Sequence, residues 1–577
     1  MNYPVWEAPA PGLWIAAVAI LHVFISHFAV GGGLFLVLAE AKARREEDAA
    51  LLGYCRRFSR FFVLLTLVLG AATGVGLWFT ISIVHPGATS ALVQTFLWGW
   101  AIEWTFFLAE IASALIYFYG WDRMEPRAHV AVGWIYFATA WLSLAVINGI
   151  VSFMLTPGAW IRTRNFWDGL LNPTSLPSLV ARTLAAGGLA GIYALFVVSG
   201  DRDPAVKRKV ARLAGGWILA MAAAGPISLW WYLEAAMTAG TPVGSILGSG
   251  GGGPLAAVRK ALTLAGETGY PAAQRAFLAA AGASILIVLI LTLAVLLRPG
   301  RFGRIAAGSL LLSGLLAIGG GEWLREDLRK PFVIGYHMFV NGVRLPEPGN
   351  LPDRPPGSPE DPFTIDRLAE SGVLAASKWH DLPAEILAGE HPGVEAQERA
   401  GREMFKILCS QCHTVDGYNA VRPLVAGRTV AALDGILKRM ARMTGPDGGP
   451  LPWSDWLERG SRLETWRDRR MPPFAGTEAE RRALAVYLAR LGGGSPEEIT
   501  AAAATAAAGA RQFDESCSPC HAAESDWPIA ERIRGRSAAE FYDLLGRLEE
   551  VNEEMEPFSG TEADRRALAE YLESLEP

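Results

Sequence analysis

Residues 21–40 read LHVFISHFAVGGGLFLVLAE, and only two histidines, a serine and a glutamate in this stretch are polar. A helix of about 20 such residues crosses the roughly 30 Å hydrocarbon core of a membrane. Seven further apolar runs follow before the tail, and the eight predicted spans lie near 13–40, 59–84, 94–119, 129–155, 178–200, 213–238, 273–297 and 303–323. The sequence therefore predicts an all-α, polytopic membrane helix bundle of eight helices.

The composition of the chain divides it into two parts. Of its 577 residues 51% are hydrophobic and 19% charged, which excludes a disordered or wholly soluble protein. Most of the 57 acidic residues follow residue 345, whereas the apolar first part has a basic excess. No feature typical of nucleic-acid binding is present. We expect a membrane domain in contact with lipid, followed by an acidic, water-exposed tail.

Basic residues in the short loops predict the orientation of the bundle. The loops 41–60, 201–212 and 298–304 are rich in lysine and arginine, and the alternate loops are poorer in both. The first span follows a neutral lead-in without a cleavage site, so we expect it to be retained. These observations predict a multi-pass protein of the bacterial cytoplasmic membrane, with both termini and the whole tail on the periplasmic side.

The tail contains an internal repeat. The segment 471–488, MPPFAGTEAERRALAVYL, matches the segment 555–572, MEPFSGTEADRRALAEYL. A proline- and glycine-rich stretch typical of a semi-extended linker precedes the tail, and the histidines in or near it, His337, His380 and His391, are expected to be solvated. The predicted domains are a membrane domain at 1–343, a linker at 344–390, and two small all-α domains at 391–495 and 496–577.

Each predicted small domain has one C-x-x-C-H run, at 409–413 and at 517–521. In this motif the two thiols bond covalently to a haem and the histidine ligates its iron. A zinc site would need two more ligands beside each motif, and none is in view. The sequence predicts two covalent haem c groups, which is consistent with a periplasmic tail. Their attachment residues are Cys409, Cys412 and His413, and Cys517, Cys520 and His521.

In each copy a helix precedes the attachment run, and a Met-x-Pro-Phe loop precedes a second helix, an order that resembles class I cytochrome c. The resemblance implies two axial pairs, His413 with Met471 and His521 with Met555. Met440 and Met443 are alternatives to Met471, and core filling is the alternative role for each methionine. Two haems in tandem would conduct electrons, and the acidic surface favours a basic periplasmic redox protein as partner.

Ionisable residues within predicted spans are functional candidates because they are costly in hydrocarbon. Glu103 and Glu110 in the third span are seven residues apart and share one helix face, which suits haem ligation or a proton path. His22 and His27 in the first span are about 140° apart around the helix, so they do not face one iron together. The alternative is that the histidines bond to backbone carbonyls and the glutamates line a wet crevice.

Several ordered segments resemble subunit I of the cytochrome bd quinol oxidases. They are the stretch 21–40, the run AIEWTFFLAE at 101–110 with GWDR at 120–123, Leu-Asn-Pro at 171–173, and REDLRKPF at 325–332. The resemblance covers roughly residues 13–335. It implies one or two non-covalent b- or d-type haems in the membrane domain and a second membrane subunit as partner.

The same resemblance assigns roles to individual residues. It implies that His22 ligates a high-spin haem, that Glu326 ligates its neighbour and that Arg329 contacts a propionate. Glu110 and, with a one-residue shift, Glu103 correspond to two glutamates linked to haem ligation and to proton delivery toward the dioxygen site. His27 has no counterpart in the family and is interpreted as structural.

The chain also departs from that family. Arg182 stands where the family has the fifth-span histidine of its low-spin haem, and 276–281, AFLAAA, lacks the partner methionine. The loop 239–272 is short and glycine-rich, without the long hydrophilic segment that forms the quinol site. Where the family has its last span, this chain has the tail with its two C-x-x-C-H runs.

Three hypotheses follow for function. The first is a bd-like oxidase subunit that receives electrons through its own di-haem cytochrome c tail and reduces dioxygen. The second is a quinol dehydrogenase that passes electrons through the c haems to a periplasmic acceptor. The third is a membrane-anchored di-haem relay subunit of a larger respiratory complex. The first two are oxidoreductases, and their small substrates are dioxygen and quinol.

Overall fold

The computed structural model describes residues 11–239, 272–346, 361–380, 393–440, 471–521, 536–552 and 555–574, with a few isolated positions. These residues form two compact units. The larger contains the described residues from Pro11 to Asp361, and the smaller contains those from Pro362 onward except Met471 and Pro472. The glycine-rich loop after residue 239 and most of the proline-rich stretch lie outside the described residues.

Among the described residues, eight helices are long and apolar enough to cross a membrane, which confirms the predicted bundle. In order, the first to eighth spans are Pro11–Arg45, Ala49–Val84, Leu97–Tyr119, Pro126–Phe153, Ser175–Val198, Pro204–Thr238, Ala272–Leu297 and Arg304–Leu328. Short helices occupy Pro86–Thr95, Trp160–Thr163 and Phe166–Leu170.

The second span changes its helical geometry along its length. It begins as an α-helix at Ala49–Val63, widens into a π-helix at Leu64–Gly70 and returns to an α-helix at Ala71–Val84. π-helical turns are rare and occur frequently at functional sites. Two residues separate the end of this turn from Thr73, whose side chain contacts His22 of the first span.

Glycines let the spans approach closely. A Cβ atom at Gly31 would lie 1.9 Å from the Ala186 carbonyl oxygen of the fifth span, and one at Gly33 would lie 2.3 Å from the Tyr136 ring of the fourth. Any side chain at either position would force the helices apart. The first span is thereby fixed against both neighbours.

After the eighth span the chain forms a short antiparallel hairpin, with strands Phe332–Ile334 and Met338–Phe339. His337 lies in this hairpin, and its ring packs edge-on against Trp160 with centroids 5.3 Å apart. Burial, together with Arg164 and Arg344, lowers the pKa of His337 to about 3. The expectation that His337 is solvated is therefore wrong, because the hairpin folds its ring back onto the protein.

The smaller unit is helical. Its helices are Ile365–Ser371, Val373–Ala376, Val394–Leu408, Arg422–Val425, Val430–Met440, Glu478–Leu491, Pro496–Ser516, Ser518–His521, Ala538–Leu545, Leu548–Val551 and Glu562–Ser574. We call 394–408 and 496–516 the attachment helices, because each ends at a C-x-x-C-H run, and 478–491 and 562–574 the closing helices.

Two short helices lie within the segment predicted as linker at 344–390. The second of them donates its backbone N–H groups at Val373 and Leu374 to the Glu480 carboxylate, over 3.0 and 2.8 Å. His380 Nε2 lies 2.9 Å from the Leu374 carbonyl oxygen. This part of the segment is therefore folded onto the first closing helix rather than extended, and His391 lies outside the described residues.

Candidate haem centres

The two copies of the repeat use the same helix crossing. In the first copy a Cβ at Gly401 would lie 2.0 Å from the Ala483 carbonyl oxygen, and in the second a Cβ at Gly509 would lie 2.2 Å from that of Ala567. Each attachment helix thus meets its closing helix at a glycine that nothing larger can replace without moving one helix.

An aromatic pair lies next to each crossing. Phe405 and Tyr487 have ring centroids 5.7 Å apart at an interplanar angle of 53°. Phe513 and Tyr571 have the same separation and an angle of 51°. Because helix crossing and ring packing agree between copies, the repeat seen in the sequence is also a repeat in structure.

The attachment runs close into matching turns. The backbone N–H groups of Cys412 and His413 donate to the Cys409 carbonyl over 3.1 and 2.9 Å, and Cys520 and His521 repeat these bonds to Cys517 at the same distances. None of these four cysteines forms a disulfide. Each turn therefore gathers two thiols and one imidazole, which is the set that a covalent haem requires.

The first attachment histidine is oriented by the backbone. His413 Nδ1 lies 3.2 Å from the Asn419 carbonyl oxygen, and a bond of this kind fixes the ring of a metal-ligating histidine so that Nε2 serves the metal. An open cavity of about 650 Å³ adjoins His413; Phe405 and Tyr487 line part of it, and charged side chains line much of the rest. Burial raises the pKa of the Cys409 thiol to about 12. These residues fit a covalently bound haem c.

The axial methionines are less constrained by the described residues. The backbone N–H of Met555 donates to Asn552 over 2.9 Å, and the Met440 carbonyl accepts from Phe474 in the Met-x-Pro-Phe loop over 2.9 Å. Met443 lies outside the described residues. The axial roles of Met471 and Met555 remain predictions. Across the described part of the chain, no group of three or more His, Cys, Asp or Glu side chains could hold a metal ion.

In the membrane domain His22 faces the second span. Its Nδ1 lies 3.1 Å from Thr73 Oγ1, and a Cβ at Gly74 would lie 3.2 Å from the ring. His27 is placed differently, with Nδ1 2.9 Å from the Val23 carbonyl and Nε2 3.5 Å from Arg182 Nη1. Both nitrogens of His27 thus face protein atoms, in agreement with a structural role.

Arg182 has a carboxylate partner on another span. Its Nη2 lies 3.0 Å from Glu322 of the eighth span, and Glu322 also bonds Arg325 at 3.0 Å. About 15% of the Arg182 and Glu322 side chains is exposed. The position where the bd family has its low-spin haem ligand is therefore held by a largely buried ion cluster.

Glu326 and Arg329 form an ion pair at the end of the eighth span, with Arg329 Nη2 2.5 Å from Glu326 Oε2. Arg329 also donates to the Val333 carbonyl over 3.0 Å. His85, at the end of the second span, interacts electrostatically with both members of the pair. Sequence reasoning missed His85, although its position directly after an apolar run and before a proline was a usable signal.

This region carries more positive than negative charge. Four cations, Arg182, Arg325, Arg329 and Lys330, are paired with three carboxylates, Glu322, Glu326 and Asp327. Arg325 Nη1 and Arg329 Nε are buried without a hydrogen-bond partner among the described residues. A buried N–H donor without an acceptor is costly even where its guanidinium is ion-paired. The excess of cations and these two donors therefore fit an anionic ligand, such as the carboxylates of a haem.

Glu103 and Glu110 share one face of the third span, as their spacing predicted, and both contact the fourth span. Glu103 accepts from Ser143 Oγ over 2.9 Å, and Glu110 Oε1 lies 3.0 Å from the Tyr136 hydroxyl. Their partners are also seven residues apart, so the two contacts repeat along a single helix interface. The roles of both glutamates in ligation or proton delivery remain predictions.

A second polar cluster lies farther along the same face of the third span and was missed in the sequence. Glu40 and His129 are fully buried, with His129 Nδ1 2.8 Å from Glu40 Oε1. The Tyr117 hydroxyl donates to Glu40, and Arg44 bonds the same carboxylate at 2.6 Å. Tyr117 follows Glu110 by seven residues, as Glu110 follows Glu103, and this spacing could have revealed the cluster in the sequence.

Comparison with known proteins finds matches for both parts of the chain. Residues 13–236 match the family model of cytochrome bd terminal oxidase subunit I. The N-terminal domain is bd subunit I-like. Residues 504–572 match the model of cytochrome c oxidase, cbb3-type, subunit III, which covers the second copy of the repeat. The recognition of a bd-like membrane domain followed by cytochrome c-like domains is thus confirmed, and the two matches support a membrane-bound respiratory haem oxidoreductase.

Among solved structures the chain is similar in fold to the bd oxidase from Geobacillus thermodenitrificans. The two share 15% sequence identity at a TM-score of 0.44, and the match covers 57% of this chain and 89% of that chain. No curated protein matches the chain. Placement of the haems in the bd-like domain therefore depends on the contacts of its own residues.

Proposed function

We propose that the chain is the haem-bearing subunit of a terminal oxidase that receives electrons through its own cytochrome c tail and reduces dioxygen in the bd-like domain. The tail lies on the periplasmic side of a bacterial cytoplasmic membrane and accepts electrons from a periplasmic redox protein. A second membrane subunit completes the complex. Each dioxygen takes four electrons and four protons and yields two waters.

The ion cluster of Arg182 and Glu322 is the observation that carries this proposal. In the bd family a low-spin haem admits electrons from quinol, and its fifth-span ligand is replaced here by an arginine bonded to Glu322 at 3.0 Å. The residues implied for the other membrane haems, His22 and Glu326, are present and lie on the first and eighth spans. These two observations favour an electron entrance other than quinol, and the proposal places it in the c-type repeat.

A haem held in the bd-like domain would supply an iron that binds dioxygen. In the proposed arrangement His22 ligates one such iron, Glu326 ligates its neighbour, and Arg329 holds a propionate. Glu103 and Glu110, both facing the fourth span, deliver protons to the site of reduction. In the tail, His413 with Met471 and His521 with Met555 complete two haem c centres.

The direct test is a single-turnover reaction of the fully reduced protein with dioxygen. We expect both c haems to become oxidised in the same reaction as the membrane haem, and we expect His22→Ala to leave the c haems reduced over that time. Anaerobic reduction of the c haems by added quinol, with no oxygen consumption by the reduced protein, would support the quinol dehydrogenase instead. Absence of any membrane haem would support the relay subunit.

A further inference from the structure

The contact between His22 and the second span determines which ring nitrogen carries the proton. Thr73 Oγ1 lies 2.7 Å from the Leu69 carbonyl and 3.0 Å from the Gly70 carbonyl, and 3.1 Å from His22 Nδ1. A threonine hydroxyl has one proton, and carbonyl oxygens can only accept. The Thr73 proton is directed to its own helix, so the oxygen accepts from the histidine.

The π-helical turn of the second span lies next to this hydroxyl. Gly70 is the last residue of the turn, and its carbonyl oxygen lies 3.0 Å from Thr73 Oγ1. The end of the turn therefore provides one of the two carbonyl acceptors that hold the Thr73 hydroxyl beside the His22 ring.

We propose that Thr73, together with the π-helical turn before it, is a positioning residue for the membrane haem. It holds neutral His22 with the proton on Nδ1 and leaves the Nε2 lone pair for iron. This inference deepens the proposed function and depends on His22 being an iron ligand. It adds a residue that acts through His22 and does not touch the haem.

The orientation has two physical consequences. A hydrogen bond to the second ring nitrogen fixes the plane and tautomer of a ligating histidine and makes it a better electron donor to the metal. Loss of such a partner typically weakens metal affinity by about 10–100-fold. Removing the Thr73 hydroxyl should therefore weaken haem retention and raise the reduction potential of the iron that His22 ligates, because a poorer donor stabilises the ferric state less.

The test compares three variants of the full-length holoprotein. Thr73→Val removes the hydroxyl at nearly constant volume, Thr73→Ser restores it, and Thr80→Val is the matched control. Thr80 lies on the same span, where its hydroxyl donates only to the Gly76 carbonyl, over 2.7 Å. The readouts are non-covalent haem per chain after repeated washing, the midpoint potential of that haem, and the iron–histidine stretching band of its reduced form.

We expect Thr73→Val to lose non-covalent haem about 10–100-fold more readily, with a higher midpoint potential and a lower stretching frequency. Thr73→Ser and Thr80→Val should match the natural protein. Unchanged potential and stretching band in Thr73→Val, in a preparation where His22→Ala loses the haem, would overturn this inference and leave the proposed function intact. Retention of the haem in His22→Ala would overturn both.

Discussion

The cytochrome c tail and the bd-like domain build their candidate haem centres in opposite ways. In the tail, thiols and imidazole come from five consecutive residues, and a repeated helix crossing at Gly401 or Gly509 supports them. In the bd-like domain, His22 and Glu326 lie on the first and the eighth spans, and each depends on contacts from other helices. The tail centres are therefore local and independent, whereas a membrane centre depends on the packing of the bundle.

Changing one attachment run should have the largest effect and remove one haem only. We expect replacement of both Cys409 and Cys412 by serine to halve the covalent haem per chain, because the second run at 517–521 is complete in itself. Cys55→Ser is the control, since Cys55 is a buried free thiol outside both runs. Pyridine haemochrome quantitation measures the outcome, and loss of both covalent haems would show that the two copies are not independent.

The corresponding change in the bd-like domain is His22→Ala. We expect loss of the carbon monoxide-binding haem while both covalent haems stay, because the tail ligates its haems without the membrane helices. His27→Ala is the control on the same helix, since its ring contacts Val23 and Arg182. Difference spectra with and without carbon monoxide check this, and equal loss in the two variants would remove the distinction between the histidines.

The ion cluster between the fifth and eighth spans should contribute strongly to stability. Glu322→Gln leaves Arg182 largely buried without its carboxylate, and breaking a buried pair on one side costs about 3–5 kcal/mol. Glu46→Gln, at an exposed pair with Lys42, should change little. Thermal unfolding of the purified protein in detergent measures both, and similar melting temperatures for the two variants would contradict the account of Arg182.

A smaller effect distinguishes the two closing helices. Glu480 accepts from Val373 and Leu374 as well as capping its own helix, whereas Asp564 bonds only to Thr561. In Glu480→Gln an amide N–H faces a backbone donor, so we expect a loss of about 1–3 kcal/mol. Asp564→Asn should lower the free energy of unfolding by less. Unfolding followed at the c-haem absorption measures the loss of stability in both variants. A larger loss in Asp564→Asn than in Glu480→Gln would contradict this prediction.

The hydrogen bonds between Asp564 and Thr561 predict a pH dependence of stability for the second copy of the repeat. Hydrogen bonds from the Thr561 side chain and backbone hold the pKa of Asp564 below its usual range. A lowered folded-state pKa stabilises the protein above the unfolded value of about 3.9, and this contribution is lost as pH falls through the folded-state pKa. Asp564→Asn should therefore reduce the acid-dependent loss of stability, which unfolding of both proteins between neutral and acidic pH would measure.

Local features of the sequence predicted much of this molecule. The eight spans depend on the length of apolar runs, and the attachment turns depend on a five-residue motif. Glu103 and Glu110 share a face because helix geometry fixes residues seven apart. Each of these needs only neighbouring positions, so a single sequence contained the information.

Features that depend on two distant segments were not predictable. The partner of Arg182 is Glu322 on another span, and the electrostatic interaction of His85 with Glu326 and Arg329 exists only after the bundle has packed. The helix Val373–Ala376 has four residues, too few for stability alone, and it forms where Glu480 accepts its N–H groups. His337 is partly buried because the hairpin places it against Trp160.

An anaerobic, dithionite-reduced spectrum of the purified protein, with pyridine haemochrome quantitation and recorded before and after addition of carbon monoxide, would test whether this chain is an oxidase. We expect two c haems per chain together with non-covalent haem whose spectrum shifts with carbon monoxide, since an oxidase needs an iron open to dioxygen. Two c haems alone, with no change on adding carbon monoxide, would contradict this expectation and leave the bd-like domain as an anchor.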